Sequence, residues 1–511
     1  MSLIFLLLFS PFSLSLSQTP PPPPRGFLIN CGAPSATQID GRSWLSDSGF
    51  ISTGTPKNVT SPVLIPTLKT LRSFPLNIKK HCYNNIHVFR GSKYLVRSTY
   101  FYGGVNGPDH PSPPVFDQIV DGTLWTVVNT TADYVNGNST FYEGVFLAKG
   151  KFMTFCIGSN NRTESDPFIS SLEFLILGDS LYNTTDFNNF SMTLVARNSF
   201  GYSGLPIRYP DDRFDRIWEP LGQSNSTKAS TANVSVSDFW NLPPSKVFET
   251  HLGSDQLEEL QMRWPAVSLP SSKYYVALYF ADNTGGSRIF NVSVNGVTYY
   301  RNLNAIPSGV VVFANQWPLS GHTTVTLTPA ASSSLGPLIN AGEIFDVRSL
   351  GGTTSIRDVI ALVKVKESLR NPPLDWSGDP CMPRQYSWTG ITCSEGPRIR
   401  VVTLNLTNMN LSGSLSPFVA NMTALANIWL GNNSLSGQIP ELSSLTLLET
   451  LHLEDNQFTG EIPSSLGNIS TLHEVFLQNN NLTGQIPANL IGKPGLSLST
   501  SGNNFLSPPA P

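Results

Sequence analysis

Cys381 and Cys393 lie in the stretch LDWSGDPCMPRQYSWTGITC (374–393), which also carries Trp376, Trp388 and a Gly-Asp-Pro turn. The whole chain has only five cysteines. A disulfide between these two closes a small loop, contributing about 3 kcal/mol by the chain-entropy model. A redox-active pair would usually need Cys-x-x-Cys, which this is not. Cys31, Cys82 and Cys156 are odd in number, so one bridge leaves a thiol over and three pairings stay open.

Other residue types suit binding. A pyranose is held by aromatic faces on its apolar side and by carboxylates or amides on its hydroxyls. Tyr100, Phe101 and Tyr102 stand at a strand end before the flexible GGVNG, and Trp44, Trp125 and Tyr142 are further rings of the same half. The second half places Tyr279, Phe280 and Asp282 at a matching strand. Alternate aromatics on a sandwich strand also serve as core, so both roles remain open. The run YPDDRFDRIW carries Asp211, Asp212, Arg213, Asp215 and Arg216. It lacks the alternation of a calcium loop, and a turn held by Asp–Arg pairs suits it better. No metal, cofactor or catalytic residue is expected: a glycosidase needs two carboxylates across a cleft, for which nothing positive appears, and hydrolase and phosphate-loop motifs are absent.

The elements that position these residues are mostly strands. KYLVRSTYFY (93–102) matches KYYVALYFAD (273–282), FDQIVDG (116–122) matches FNVSVNG (290–296), and FISSLEFLIL (168–177) matches PLINAGEIFDV (337–347). The offsets are 180, 174 and about 170, in order, which predicts a duplicated β-sandwich. Residues 355–370 read instead as a helix, with Ser355 and Asp358 in a capping-box arrangement and Val359, Leu362, Val363 and Leu369 on one face.

A 24-residue period follows: LNLTNMNLSGSL (404–415), IWLGNNSLSGQIP (428–440), LHLEDNQFTGEIP (451–463) and FLQNNNLTGQIP (476–487). This is the leucine-rich repeat pattern, LxLxxNxLxGxIP. Paired apolar residues point into a solenoid core, and the residue between them points out of a concave sheet. Those outward residues are Asn405, Trp429, His452 and Phe476, with Glu454, Asp455 and Gln478 beside them. Exposed rings in a row are a candidate protein-binding stripe. Asn433, Asn456 and Asn480 form an expected hydrogen-bonded ladder, whose first rung is replaced by Met409. A solenoid end needs a cap, and the helix plus the Cys381–Cys393 loop, with Trp376 and Trp388 over the apolar end, supplies it.

Charged residues make up 13% of the 511 residues, and the net charge is −3, which argues against a nucleic-acid surface. Gly and Pro number 40 each, as turn-rich β structure requires. The first seventeen residues are apolar and end in Ser15 and Ser17, which fit a secretory cleavage site. Fifteen Asn-x-Ser/Thr acceptors follow, at Asn58, Asn129, Asn138, Asn161, Asn183, Asn189, Asn225, Asn233, Asn291, Asn405, Asn410, Asn421, Asn432, Asn468 and Asn481. Together they suggest an exported chain kept soluble by sugars. After the signal no run reaches the ~18 apolar residues of a membrane span. The chain therefore divides into a signal peptide (1–17), a Pro-rich linker (18–25), sandwiches at 26–180 and 181–350, a cap at 351–399, repeats at 400–505 and a tail at 506–511.

FLINCG (27–32), CYNN (82–85), PFISSLEF (167–174), IRYPDDRFDRIW (207–218) and GDPC (378–381) resemble the signatures of plant malectin-like, leucine-rich-repeat receptor ectodomains. The likeness runs from about 26 to 505. It implies a mainly β chain with two tandem malectin folds, related to an animal lectin that binds di-glucose. That lectin has aromatics at the strand matching Tyr100 and Phe101. It also implies a non-enzymatic receptor-like protein that takes an oligosaccharide or a small secreted peptide and works through a membrane receptor or co-receptor. A purely protein-binding cell-wall adaptor is the alternative, and a glycan hydrolase a remote one. Receptor kinases of the group continue into a membrane helix and a kinase. The sequence given stops at SPPAP, so it is expected at the cell wall or surface, membrane-associated only through a partner or as a shortened form of such a receptor.

Overall fold

The strand Lys93–Tyr100 shows why the first half folds as it does: Tyr94, Val96 and Tyr100 on one face and Leu95 on the other are buried, and with them even Lys93 and Arg97, so both faces are covered. It lies inside an eleven-stranded sheet. The structure, a computed structural model, describes residues 22, 24–60, 65–222, 227–229, 234–236, 239–254, 256–503 and 505–507. The expected signal peptide, most of the Pro-rich linker, the sequons at Asn225 and Asn233 and most of the 506–511 tail lie outside the described residues.

The duplication is written in the strand order. The first copy contributes Gly26–Asn30, Ser171–Ile176, Lys93–Tyr100 and Thr140–Leu147 to the large sheet, in that order. The second contributes Phe190–Phe200, Ala341–Ser349, Leu269–Phe280 and Val310–Gly321 in the same order. Each copy adds its own four-stranded sheet, Lys80–His87, Phe152–Gly158, Phe116–Val120 and Thr123–Val128 in one, Leu260–Arg263, Thr324–Pro329, Ile289–Val294 and Val297–Asn304 in the other. The copies join edge to edge where Gly144 pairs with Thr193 and Val145 with Met192. This fusion removes two exposed sheet edges that could otherwise pair with another chain.

One face of the fused sheet carries a separate core in each copy, around Tyr94, Phe116 and Phe155 in the first and Phe280, Phe290 and Leu327 in the second. The other face carries one core shared by both, with Leu95, Val145, Met192, Tyr275 and Phe345, covered in part by Phe214, Trp218 and Phe248. Charged side chains cross that seam. Arg97 binds Glu143 at 2.9 Å and Glu173 at 3.2 Å, while Arg197 binds Glu143 at 2.7 Å and Glu343 at 2.8 Å. Burial alone would raise the Glu343 carboxyl, but Arg197 and Arg216 outweigh it and hold it below the usual value.

The helix Ile356–Ser368 starts where expected, yet its cap differs. The Ser355 hydroxyl makes no capping bond. Asp358 turns inward instead, holding Arg400 at 2.8 and 3.0 Å and accepting from the Val401 N–H at 2.9 Å. The buried face is Asp358, Ala361, Leu362 and Val365, and Leu369 is buried just beyond the helix end; Val363, expected on that face, is exposed because it falls on the opposite side of the turn. Past the cap, Val401–Asn405, Asn427–Trp429, Thr450–His452, Glu474–Phe476 and Ser497–Ser499 form a parallel sheet. The fifth strand was not expected from the four matched repeats. The LxGx segments form a second parallel ladder behind it, from Ser412–Ser414 to Asn481–Gln485, which Phe505–Ser507 extends without the motif.

Candidate functional site

The Gly-Asp-Pro-Cys stretch caps the repeats and also clasps them to the first sandwich. Cys381 and Cys393 are bonded, and Trp376 and Trp388 stack with ring centroids 5.1 Å apart, both buried over the first repeat. Cys82 and Cys156 form the second disulfide, which leaves Cys31 as a buried free thiol. Gly378 sits directly on that second bridge: at φ +67°, a Cβ there would meet the Cys82 and Cys156 sulfurs at 2.8 and 2.9 Å. Glycine is required for the backbone conformation and for the approach alike. The Asp379 carboxylate accepts from the backbone N–H groups of Thr354, Cys381 and Met382 and from the Thr354 hydroxyl. Its carbonyl accepts from the Lys80 ammonium at 2.9 Å. Burial pushes that ammonium down to about 8. Asn84 donates to the Ser377 hydroxyl at 2.8 Å, and the Tyr386 hydroxyl donates to Asp117 at 2.8 Å. Burial, reinforced by Asp117, holds that phenol well above its usual value. Sequence reasoning reached the cap but not this docking, because the partners lie 269 to 299 residues apart in the chain.

On the concave sheet the outward residues stand in register, Asn405 beside Trp429, His452 and Phe476. Three rings stack into one stripe, with centroids 5.9 Å apart for Trp429 and His452 and 4.5 Å for His452 and Phe476. All three are half-buried. The stripe is fixed from below: the Trp429 indole N–H donates to the Thr450 hydroxyl at 2.7 Å, and the His452 Nε2 lies 3.0 Å from a Glu474 oxygen. Asp455 is exposed beside it, and its carboxylate accepts from the Asn479 amide at 2.7 Å. Glu474 belongs to this surface and was missed, since it sits one position before the paired apolar residues used to find outward positions.

The residues singled out for sugar do not form an open site. Tyr100 is fully buried among Phe116, Tyr142 and Phe168, and its hydroxyl donates to Gln118 at 3.0 Å. Tyr102 packs on Tyr134 and Phe168, and its hydroxyl donates to the His110 carbonyl. Phe101, Trp44 and Trp125 are buried too, as are Tyr279 and Phe280 in the second copy. Asp282 is spent on Arg288, at 2.9 Å, and on the Thr284 hydroxyl. Lys93–Tyr100 and the end of Leu269–Phe280 are covered on both faces, so alternation there has no solvent side, whereas Trp44 and Trp125 take the inward face of strands whose neighbours Ser43 and Leu124 are exposed. The aspartates of YPDDRFDRIW are structural. Asp212 holds Arg216 and Trp218, and Asp215 holds Arg42 and Arg208. Burial would raise Asp215, but the arginines win and keep it well below the carboxylate range. Among the described residues no group of three or more His, Cys, Asp or Glu is placed to hold a metal.

Every described sequon asparagine except the partly covered Asn291 is exposed. Asn405 and Asn432 lie on or beside the concave face. No helix among the described residues is long and apolar enough to cross a membrane.

Two fused sandwiches clasped to a capped repeat solenoid define a class, the mainly β ectodomains of plant receptor-like proteins. The malectin-like domain model matches residues 29–347, the leucine rich repeat N-terminal domain model 355–394 and a leucine rich repeat model 447–469. The chain belongs to the malectin-like, leucine-rich-repeat receptor-like family. A leucine-rich repeat receptor-like serine/threonine-protein kinase of Arabidopsis thaliana is 31% identical over 441 residues, 82% of this chain and 49% of the relative. A probable receptor-like kinase of the same plant is 32% identical over 78% of this chain and 48% of its own length. The chain thus spans about half the length of the curated relatives it matches. Among solved structures, the ANX2 ectodomain from Arabidopsis thaliana superposes with a TM-score of 0.53 at 13% identity, covering 63% of this chain and 97% of that one. A structure of the plant peptide RALF23 in complex with FER and LLG2 gives 0.53 at 16% identity, covering 64% and 96%. At such identities these two show the fold alone.

Proposed function

We propose that this protein is an extracellular, non-enzymatic binding protein whose concave repeat face docks a partner protein. The stacked stripe of Trp429, His452 and Phe476 carries this reading. Large rings held rigid on an open sheet lose little entropy on binding and are the residue types that dominate interface energetics. Asp455 and Glu474 beside the rings add an acidic rim, which favours a partner segment with a basic residue. Sequons at Asn405 and Asn432 leave the later repeats as the open part of the face. The malectin-like unit is read as the part that takes a secreted peptide. Support comes from the same fold having been solved in company with a peptide and a second protein. The carbohydrate reading has less support, because its ring candidates other than the half-buried Tyr142 lie in the core.

The test is a binding screen of the secreted chain against plant receptor ectodomains, secreted peptides and oligosaccharides. A protein hit should weaken roughly 30-fold or more, about 2 kcal/mol, in Trp429→Ala and Phe476→Ala, the range of a hot spot. A hit unmoved by both substitutions, or binding of oligosaccharides alone, would remove the stripe from the account.

A further inference from the structure

A cleft of about 840 Å³ opens where the first sandwich meets the cap, away from the concave stripe. One wall is the turn between Thr140–Leu147 and Phe152–Gly158, bearing Lys149 and Phe152. The facing wall is the first turn of the cap helix, with Ile356, Arg357 and Val359, and the segment carrying Arg398. Gly378 and Asp379 line it as well, so the cleft exists only because the clasp holds the two units together.

Its chemistry is one-sided. Lys149, Arg357 and Arg398 are exposed on three separate segments, and none has an ion-pair partner among the described residues. The two acids that line it are already engaged, Asp121 by the Thr154 N–H and hydroxyl, Asp379 by four donors. The apolar part is unusual for a surface. Phe152 is 47% exposed and Ile356 72%, and Ile360 at 51% and Val363 at 37% continue the same helix face. An apolar stripe at i, i+4 and i+7 facing solvent is the pattern of a face awaiting a cover. None of the described sequon asparagines lines the cleft.

We propose that this junction cleft is a second binding site, for an acidic peptide segment whose apolar side chains seat on Phe152, Ile356 and Val359 while its carboxylates meet Lys149, Arg357 and Arg398. Charge complementarity selects the acidic partner. The apolar wall selects a peptide over an acidic sugar. Branched aliphatic side chains offer no flat face to a pyranose, and the Phe152 ring is already against His87, with centroids 4.5 Å apart. Because the site is built from both units, an occupant would bridge them and oppose their separation.

The experiment pans a phage-displayed library of random twelve-residue peptides on the full secreted chain and counter-selects on the double variant Arg357→Glu, Arg398→Glu. Both arginines are exposed and unpaired, so the variant should keep the thermal midpoint of the parent, which is checked first. The expected survivors are rich in Asp and Glu alongside Leu, Ile or Phe. They should bind the variant at least tenfold more weakly, lose affinity as salt rises, and bind Trp429→Ala as tightly as the parent. That last arm separates this site from the repeat stripe, so either can fail alone. Survivors without acidic enrichment, or equal binding to the double variant, would overturn the proposal. So would a galacturonate hexamer that binds the cleft when no peptide does, since it would assign the site to acidic sugars.

Discussion

His81 is kept neutral by its burial. Its ring is buried, stacked 4.7 Å from Phe74, with Nδ1 at 2.9 Å from the Thr53 hydroxyl and Nε2 at 3.2 Å from the Pro75 carbonyl. Burial, the largest cause, outweighs the Pro75 carbonyl and lowers its pKa to about 4. In the unfolded chain it titrates near 6.5, so between those values the unfolded state binds more protons and stability falls as pH falls. The stability is complete above pH 6.5 and lost through pH 4. Relative to His81→Gln, the parent should lose about 3 kcal/mol across that window, read as a difference in urea midpoints at pH 7 and pH 4. An equal pH dependence in both proteins would show that the ring is not held neutral. Single residues were the least legible scale in the sequence. Tyr100 and Phe101 look alike whether they face solvent or core, and nothing local announces that Arg97 or Glu343 is buried, because their partners lie on strands far away in the chain. His81 fell in no motif at all.

Elements were far more legible, because a repeat is stated several times over. The Asn at the sixth position does what the pattern requires: the Asn456 amide donates to the carbonyls of Leu430, Leu453 and Glu454, and its oxygen accepts from the Leu435 N–H. Asn433 and Asn480 repeat the arrangement one turn to either side. The ladder runs one rung further, to Asn503, which accepts from the Leu482 N–H. That rung and the fifth strand escaped notice because the terminal repeat keeps the Asn but loses the LxGxIP tail that marks the period. Asn456→Ala would strand the buried Leu435 N–H, while the carbonyls of Leu430, Leu453 and Glu454 each keep one donor, from Asn433, Asn480 and the Asn432 N–H, so the expected loss is about 2 kcal/mol. Asn503→Ala, at the half-open end, should cost about 1 kcal/mol. Hydrogen exchange at the Leu435 amide is the direct readout. It should speed up in Asn456→Ala and stay unchanged in Asn503→Ala; equal effects would mean the ladder stabilises as a unit and not rung by rung.

At the scale of the whole molecule the chain is held by two joints of different character. The joint between the sandwiches is a continuous sheet backed by buried charge, where Glu143 is shared by Arg97 and Arg197 from the two copies. Removing one partner of such a pair leaves an unpaired buried charge, at about 3–5 kcal/mol, so that joint should move only when the fold fails. The joint to the repeats is smaller: the Lys80, Asn84 and Asp117 hydrogen bonds, the Gly351 N–H bond to the Thr123 hydroxyl at 3.0 Å, the small cluster of Ile119 and Tyr386 around the Cys82–Cys156 bridge, and one glycine against that bridge. Its small extent predicts that it opens before either side unfolds. Gly378→Ala combines a positive φ with a Cβ inside contact distance of two sulfurs that backbone pairing holds in place. Gly396→Ala is its control, also at positive φ (+91°) but with nothing within 4 Å. Both variants carry the ~1–2 kcal/mol of left-handed strain, so their difference isolates the clasp. Gly378→Ala alone should raise hydrogen exchange at the Cys381 and Met382 amides and increase the radius of gyration in solution scattering. It should also weaken any ligand of the junction cleft while leaving a ligand of the Trp429 stripe untouched. If the two variants behave alike in scattering and exchange, the Gly-Asp-Pro-Cys stretch is a cap for the repeats and nothing more.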